Sequence, residues 1–445
     1  MTTDSSAAPA TPISPATPIS PATPISPAAT APAQLARHIG RWQGTALYVS
    51  AILGAGVLVL PGQVASMAGP ASLLSWAFAC ALGVPLAWMF AAFARRFPEA
   101  GGVATYVGRA FGPTAGALTG WLYFAAGSFG QTIVPLTGGY YVAQALNLGS
   151  GWAYLVAVAI LTAAVAANLH GRRVSARTQL ALAAAVAIAL VVTTAAAAPR
   201  MSVHRLQPFA PHGLGPVADG VIVLFFAFAG WEAVAHLAEE FTDPDRDVPR
   251  AVAATIAIVS VLYLGIAAAV VLTGTYGDPH TDHVAIGLLL RSAFGPGADI
   301  AAAVIAVLIS LGTANAFIAG VSRLGYSLAR DRWLPYRSAY INRRSVPVGG
   351  VVTVAAVAYA GLAAAAGFGW GTETLVVVPS TLVVTVYLLA AAAGIRLLRG
   401  VARGCAVLTV CLTALVIPDA ARHVVIPVVV VLLALLMRWV GKRPA

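Results

Sequence analysis

The chain has 445 residues, of which 59% are hydrophobic and only 9% are charged, and its mean hydropathy is +0.85. Soluble domains carry about 25% charged residues, so this composition excludes a soluble globular protein and predicts an all-α integral membrane protein. The net charge of +11 could indicate a nucleic-acid partner, but the placement of the arginines, given below, favours membrane lipid. The three cysteines lie in apolar runs without metal-ligand spacing, so we expect neither a disulfide framework nor a metal site.

A proline-rich tail comes first in the chain. Residues 11–28 read TPISPA three times, within a stretch rich in Ser, Thr, Pro and Ala. Prolines at this density exclude a helix and favour extended conformations. We expect residues 1–36 to form a disordered cytoplasmic tail. A signal peptide is not expected, because no basic segment leads into an apolar one.

Twelve apolar segments follow the tail. A membrane helix needs about 20 apolar residues, and the segments lie near 44–67, 72–94, 114–145, 152–169, 175–197, 216–240, 250–274, 297–327, 348–366, 373–395, 404–418 and 422–440. The eleventh is the weakest, because it is short and ends at a proline. A short amphipathic segment at 286–294 is expected on the membrane surface. The sequence therefore predicts 12 transmembrane helices.

Arginine placement predicts the orientation, because cytoplasmic loops are enriched in basic residues. With an even number of spans and the N-terminus inside, the outer loops hold only Arg200, Arg205, Arg291 and Arg422. The inner loops hold Arg95, Arg96, Arg172, Arg173, Arg177, Arg246, Arg250, Arg330, Arg332, Arg337, Arg343, Arg344, Arg396, Arg399 and Arg403. We expect both termini in the cytoplasm, with the basic residues facing anionic lipid headgroups and no nucleic-acid partner.

Two of the predicted helices carry residues that interrupt a helix. The first contains SAILGAGVLVLPGQ, with Gly54, Gly56 and Pro61, and the sixth contains FAFAGWEAV, with Gly230 before an acid. A broken helix in a bilayer leaves backbone groups unpaired unless protein or a polar cavity covers them. Breaks at corresponding positions of two five-helix sets are typical of transporters with a binding site at the membrane midplane. The alternative is that these glycines only permit close helix packing.

The two breaks predict a ligand as well as a site. Backbone N–H groups at the start of a half-helix, with the positive end of its dipole, suit a carboxylate. Carbonyl groups that are freed in the sixth helix suit an ammonium group. Together they could hold both ends of a zwitterionic amino acid.

Glu232 lies in the apolar run of the sixth helix, one turn before His236. Acids inside a membrane are costly and commonly functional. We expect Glu232 to bind the coupled proton and His236 to relay it toward Glu240, because residues four apart share a helix face. The alternatives are a structural carboxyl group at Glu232, its direct contact with the ammonium group of a substrate, and a packed imidazole at His236.

A set of ordered motifs resembles the amino acid–polyamine–organocation (APC) superfamily of secondary transporters. The motifs are GAGVLVLPG in the first helix, FPEAGGVATYVGRAFG after the second, WEAVAHLAEEF in the sixth, EEFTDPDRDVPRA after it and LARDRWLP ending the eighth. Within the superfamily, the chain is most similar to the L-methionine/branched-chain amino acid exporter family. It departs from the superfamily at Asp243, where an Asn is usual, and at Arg332 and Trp333, where a Gly is more usual.

The resemblance implies the LeuT-type 5+5 inverted-repeat fold, with a transporter core over 37–400 and two extra helices in 401–445. It assigns the substrate-binding residues on helices one, three and six to Gly54, Ala55, Gly56, Gly127, Ser128, Gln131, Phe226, Phe228, Gly230 and Trp231. In sodium-coupled relatives, hydroxyl groups of helix eight contact the ion, which makes Ser310 and Thr313 a candidate ion site. The alternative is that each hydroxyl bonds to its own helix.

The expected function follows from the charge of the pocket and from the resemblance. The pocket segments offer no charge beyond Glu232, which favours neutral apolar amino acids. The resemblance implies a proton-coupled exporter of methionine and branched-chain amino acids that works by alternating access. We expect it in a bacterial cytoplasmic membrane, as a monomer or weak homodimer and without a cofactor. The alternative is an uptake permease or exchanger, coupled to protons or sodium, for another small amino acid or amine.

Two other classes of protein are disfavoured. An enzyme would need a nucleophile with its base or a set of metal ligands, and the chain has no such motif. A transporter-like sensor would need a folded signalling domain, and the predicted cytoplasmic segments are too short or too disordered to form one.

Overall fold

The computed structural model describes residues 1–2, 39–97, 102–171, 175–232, 241–278, 281–343, 345–416 and 421–441. The α-helices within these ranges are α1 Arg41–Ile52, α2 Gly56–Ala68, α3 Ser72–Arg96, α4 Gly102–Phe111, α5 Pro113–Ala145, α6 Ser150–Leu169, α7 Ala176–Ala197, α8 Gly215–Leu224, α9 Pro244–Thr273, α10 Ala285–Phe294, α11 Gly297–Arg330, α12 Val348–Phe368, α13 Thr372–Leu375, α14 Val377–Leu397, α15 Gly400–Ala414 and α16 Val425–Gly441.

Seven helical segments in the described ranges are long and apolar enough to cross a membrane. They are Gly56–Arg96, Gly151–Leu169, Arg177–Arg200, Pro244–Thr273, Gly297–Arg330, Val348–Phe368 and Thr372–Leu397. Three shorter apolar helices add Gly215–Leu224, Gly400–Ala414 and Val425–Val440. Helix α5 has 33 residues, which at 1.5 Å per residue is about 50 Å. The predicted helical membrane architecture is confirmed, and the number of 12 spans stays a prediction.

The two motif departures lie at helix ends, where their geometry can be read directly. Asp243 precedes α9, and its side chain accepts a hydrogen bond from the backbone N–H of Arg246 at 3.2 Å. Asp caps a helix as well as Asn does, so this departure keeps the function of the position. Arg332 follows α11 with φ +58°, a left-handed conformation that favours glycine. The Gly that is usual here in the superfamily fits this backbone better than Arg332 does.

Helices at corresponding positions of the two predicted five-helix sets pack against each other. The pairs are α2 with α8, α3 with α9, α5 with α11 and α6 with α12. The short helices α4 and α10 have ten residues each and precede α5 and α11 respectively. The sequence AFGP spans the end of each helix, at 110–113 and at 293–296. Both glycines have positive φ, +96° at Gly112 and +85° at Gly295. The same local structure therefore occurs at matching positions of the first and second halves.

The backbone at Arg332 generates a stability prediction. Arg332→Gly should raise the free energy of unfolding by about 1 kcal/mol, because it relieves the left-handed strain of a residue with a Cβ. Arg337→Gly is the matched control, since Arg337 is also exposed but lies in a 3₁₀ turn without positive φ, and it should lower stability slightly. Thermal unfolding in detergent compares the two variants. A fall in stability for Arg332→Gly would contradict the explanation.

Candidate functional site

The first predicted break lies between α1 and α2. Helix α1 ends at Ile52, and α2 begins at Gly56 behind an N-cap residue, Ala55, that makes no side-chain capping bond. The first N–H groups of a helix have no partner within it, and Ala55 cannot supply one. The N–H groups of Gly56 and Val57 therefore lie at the positive end of the α2 dipole, as the glycine pattern predicts.

The second break is longer than the sequence indicates. Helix α8 ends at Leu224, six residues before Gly230, and residues 225–232 form turns. Gly230 has φ +132°, and a Cβ placed on it would lie 2.6 Å from the carbonyl oxygen of Ala51. Both the backbone angle and the contact require glycine here. The turn segment thus packs its backbone directly against the end of α1.

Hydroxyl groups from neighbouring helices satisfy carbonyl groups of the two breaks. The Tyr263 hydroxyl, on α9, lies 3.1 Å from the carbonyl oxygens of both Ile52 and Ala227. The Ser380 hydroxyl, on α14, donates to the carbonyl of Val223 at 3.2 Å. Tyr263 therefore connects the end of α1 to the turn segment. The sequence did not single out either residue.

A pocket lies where the breaks meet. It has a volume of about 50 Å³, and its lining is mostly apolar. The lining residues are Ala51, Ile52, Gly54, Ala55, Gly56, Tyr123, Ala126, Gly127, Gly130, Gln131, Val134, Phe226, Ala227, Ala229, Thr313, Phe317, Pro379 and Val383. Among these side chains none carries a formal charge. Within the described residues, the Oε1 atom of Gln131 has no hydrogen-bond partner, although the residue is buried.

A larger cavity of about 880 Å³, here called the vestibule, joins the pocket. The two share Ala51, Gly54, Tyr123, Thr313 and Phe317. The vestibule continues along residues at the start of α1, the start of α4 and the end of α11. It therefore leads from the pocket to the side of the bundle on which α1 begins, here called the α1 face.

Glu232 lies in the vestibule wall and is only 4% exposed. Its carboxyl group accepts hydrogen bonds from the hydroxyls of Tyr123 on α5 and Tyr387 on α14, and from the N–H of Gly230 at 3.1 Å. Three donors suit a carboxylate, which only accepts hydrogen bonds. Glu232 thus joins the turn segment to two other helices. Tyr123 lines both cavities.

The pocket is closed on the opposite side of the bundle. The Tyr141 hydroxyl donates to the carbonyl of Leu58 at 2.8 Å, and the Gln63 amide donates to the hydroxyl of Thr372. The loop before α10 packs against α2 and buries Asp282. Burial raises the pKa of this carboxyl group, which favours its protonated form. Among the described residues, these contacts cover the pocket on that side, while the vestibule leads from it to the α1 face.

The structure brings many of the predicted site residues together. Those that line the pocket are Gly54, Ala55, Gly56, Gly127, Gln131, Phe226 and Thr313. Those that line the vestibule are Gly54, Gly230, Glu232 and Thr313. The sequence-based assignments omitted Gly130, Phe317, Pro379 and Val383, which are apolar residues in apolar helices and cannot be distinguished from packing residues before the helices are placed.

Four predicted site residues line neither cavity. Phe228 packs edge-on against Tyr263 with 5.2 Å between ring centroids, and Trp231 lies against Gly83 of α3. Ser128 and Ser310 are buried, and their hydroxyls have no hydrogen-bond partner among the described residues. The predicted relay residues His236 and Glu240 lie outside the described residues.

Known proteins with similar sequences include amino acid permeases and an exporter. The sequence matches the model of a family described as "Amino acid permease" over residues 39–435. It is 32% identical over 366 residues to "Uncharacterized amino acid permease YecA" of Bacillus subtilis (strain 168), which covers 82% of this chain and 86% of the relative. It is 29% identical over 373 residues to "L-methionine/branched-chain amino acid exporter YjeH" of Escherichia coli (strain K12), with 82% and 87% covered. It is also 28% identical over 325 residues to "Branched-chain amino acid permease BcaP" of Bacillus subtilis (strain 168), with 68% and 69% covered.

The connection made by Tyr263 generates a prediction. Tyr263→Phe removes a buried donor and leaves carbonyl groups at both breaks without it, so stability should fall by about 1–3 kcal/mol. Tyr154→Phe is the matched control, because its hydroxyl bonds to the Trp370 carbonyl in an exposed position, where water can replace it. Thermal unfolding in detergent measures both. Equal losses in the two variants would show that Tyr263 does not hold the breaks.

Proposed function

The chain belongs to the amino acid permease family of the APC superfamily, and we propose that it is a secondary active transporter that exports methionine and branched-chain amino acids in exchange for protons. The observation that carries this proposal is the meeting of two broken helices at one uncharged pocket. Such breaks are stable in a bilayer only where protein or a cavity covers them. An amino acid is small enough and polar enough at one end to use them.

The backbone groups of the breaks suit a zwitterion. The N–H groups at the start of α2 can donate hydrogen bonds to a carboxylate, while the turn segment at 225–232 and Gln131 Oε1 offer acceptors for an ammonium group. The substrate side chain would then face the apolar lining from α5, α11 and α14. These lining side chains carry no formal charge. They therefore favour a neutral apolar substrate side chain, because an unpaired buried charge is costly. Two of the relatives have names that concern branched-chain amino acids.

Alternating access is supported by the packing of helices five spans apart and by the repeated AFGP ends of α4 and α10. These features favour the 5+5 inverted-repeat arrangement, in which one set of helices rocks against the other. We place the α1 face in the cytoplasm, because the arginine-rich loops favour that side. The vestibule then opens to the cytoplasm, where an exporter takes up its substrate.

Glu232 is the residue that we propose to couple protons to transport. Its carboxylate connects α5, the turn segment and α14 through three donors. A proton that arrives from the vestibule would occupy one of its acceptor sites and weaken this connection. His236 would relay the proton. Sodium coupling at Ser310 and Thr313 is the alternative, although only Thr313 lines a cavity.

Transport of labelled amino acids tests the function. Purified protein in liposomes should exchange methionine, leucine, isoleucine and valine but not lysine or glutamate, and a pH gradient should drive net movement when sodium is absent. The measurements are initial rates with and without a protonophore. A requirement for sodium would support the uptake permease or exchanger instead, and no transport of any amino acid would refute the proposal.

The coupling role of Glu232 generates a separate prediction. Glu232→Gln cannot exchange a proton, so pH-driven transport should be lost, while methionine binding, measured by calorimetry, should stay detectable. Asp245→Asn is the control, since Asp245 is an exposed carboxyl group that faces Arg95 at 3.6 Å, and it should transport normally. Unchanged pH dependence in folded Glu232→Gln would remove Glu232 from the coupling role.

A further inference from the structure

The pocket wall on α5 lacks a side chain at Gly130. A Cβ built on Gly130 would meet only one atom within 4 Å, Cε2 of Phe226, at the ordinary contact distance of 3.5 Å. The neighbouring pocket residue Gly127 differs, because a Cβ there would lie 2.5 Å from Cγ2 of Val321 on α11. A methyl group at Gly127 would therefore strain the contact between α5 and α11. At Gly130 it would occupy space that belongs to the pocket.

The ring of Phe226 bounds this space on the other side. A Cβ on Gly56 would lie 3.2 Å from Cδ1 of Phe226, which is close to the limit of real contacts. The ring thus lies beside Gly56 at the start of α2 and near Gly130 on α5. A methyl group added at Gly130 would contact the ring on one side and otherwise take up part of a pocket of only about 50 Å³.

Resting on the proposed function, we propose that Gly130 is a specificity-determining residue that sets the upper size limit of the substrate side chain. Without a Cβ at Gly130, the pocket keeps space beside the Phe226 ring for part of the branched or thioether side chain of leucine, isoleucine, valine or methionine. In an apolar pocket, one methylene group changes discrimination between substrates by about 10–200-fold. A methyl group added at Gly130 should therefore exclude the larger substrates and spare the smaller ones.

The test is a series of substrates that differ only in size. For Gly130→Ala, kcat/KM for leucine relative to alanine should fall at least about tenfold from the wild-type ratio. Gly265→Ala is the matched control: it adds a methyl group to α9, where the Cβ would meet Thr194 at 3.6 Å, and Gly265 lines neither cavity. The control should keep the wild-type ratio.

A second variant tests the same space from the other side. Phe226→Leu replaces the ring near Gly130 by a smaller side chain. The ratio of kcat/KM for phenylalanine to that for leucine should therefore rise about tenfold or more. This variant decides the question if Gly130→Ala proves misfolded by size-exclusion chromatography. An unchanged ratio in a folded Gly130→Ala, an equal loss for all substrates, or no shift in Phe226→Leu would overturn the role of Gly130. If the wild-type protein transports no amino acid at all, it is the proposed function that fails.

Discussion

The hydrogen-bonding demand of the backbone in hydrocarbon is the constraint on which the rest of this structure depends. Breaks at 53–55 and 225–232 release groups that lipid cannot satisfy. Hydroxyl groups of the protein form hydrogen bonds with some of these groups, as Tyr263 does with the carbonyls of Ile52 and Ala227. The remainder faces a pocket, at the uncapped start of α2. Under the proposed function, structural support and ligand binding therefore share one set of backbone groups, and the number of hydroxyls that neighbouring helices supply determines how many groups are left for a substrate.

The sequence located the breaks but not their extent or their supports. Glycine shows where a backbone can leave helical angles, and Gly54 and Gly230 both lie in the interrupted segments. Helix α8 nevertheless ends six residues before Gly230, and the close approach of Gly230 to Ala51 holds the far end of the turn against α1. Tyr263 and Tyr387 could not be singled out, since a tyrosine in an apolar helix needs a partner for its hydroxyl without indicating which partner. Only the placement of helices distant in sequence supplies that information.

The two AFGP sequences show a similar limit. The two AFGP sequences at 110–113 and 293–296 are too short to be significant as letters. The structure shows why they matter. Each spans the end of a ten-residue helix that leads into α5 or α11, and α5 and α11 pack together. Glycine is required at both positions by a positive φ. Shared backbone geometry, rather than shared side chains, therefore keeps the two sequences alike.

The connections around the pocket divide the first broken helix into two differently anchored parts. The end of α1 is held to the turn segment by Tyr263 and by the contact between Ala51 and Gly230. Helix α2 is held to other elements, through Tyr141 and Gln63. A motion that closes the vestibule must keep α1 and the turn segment together, because separating them would expose carbonyl groups of both. The bend then falls at 53–55, where glycine already lacks helical bonds. Under the proposed function, α1 and the turn segment move as one unit, and Glu232, which joins that unit to α5 and α14, is placed where a single proton can affect its release.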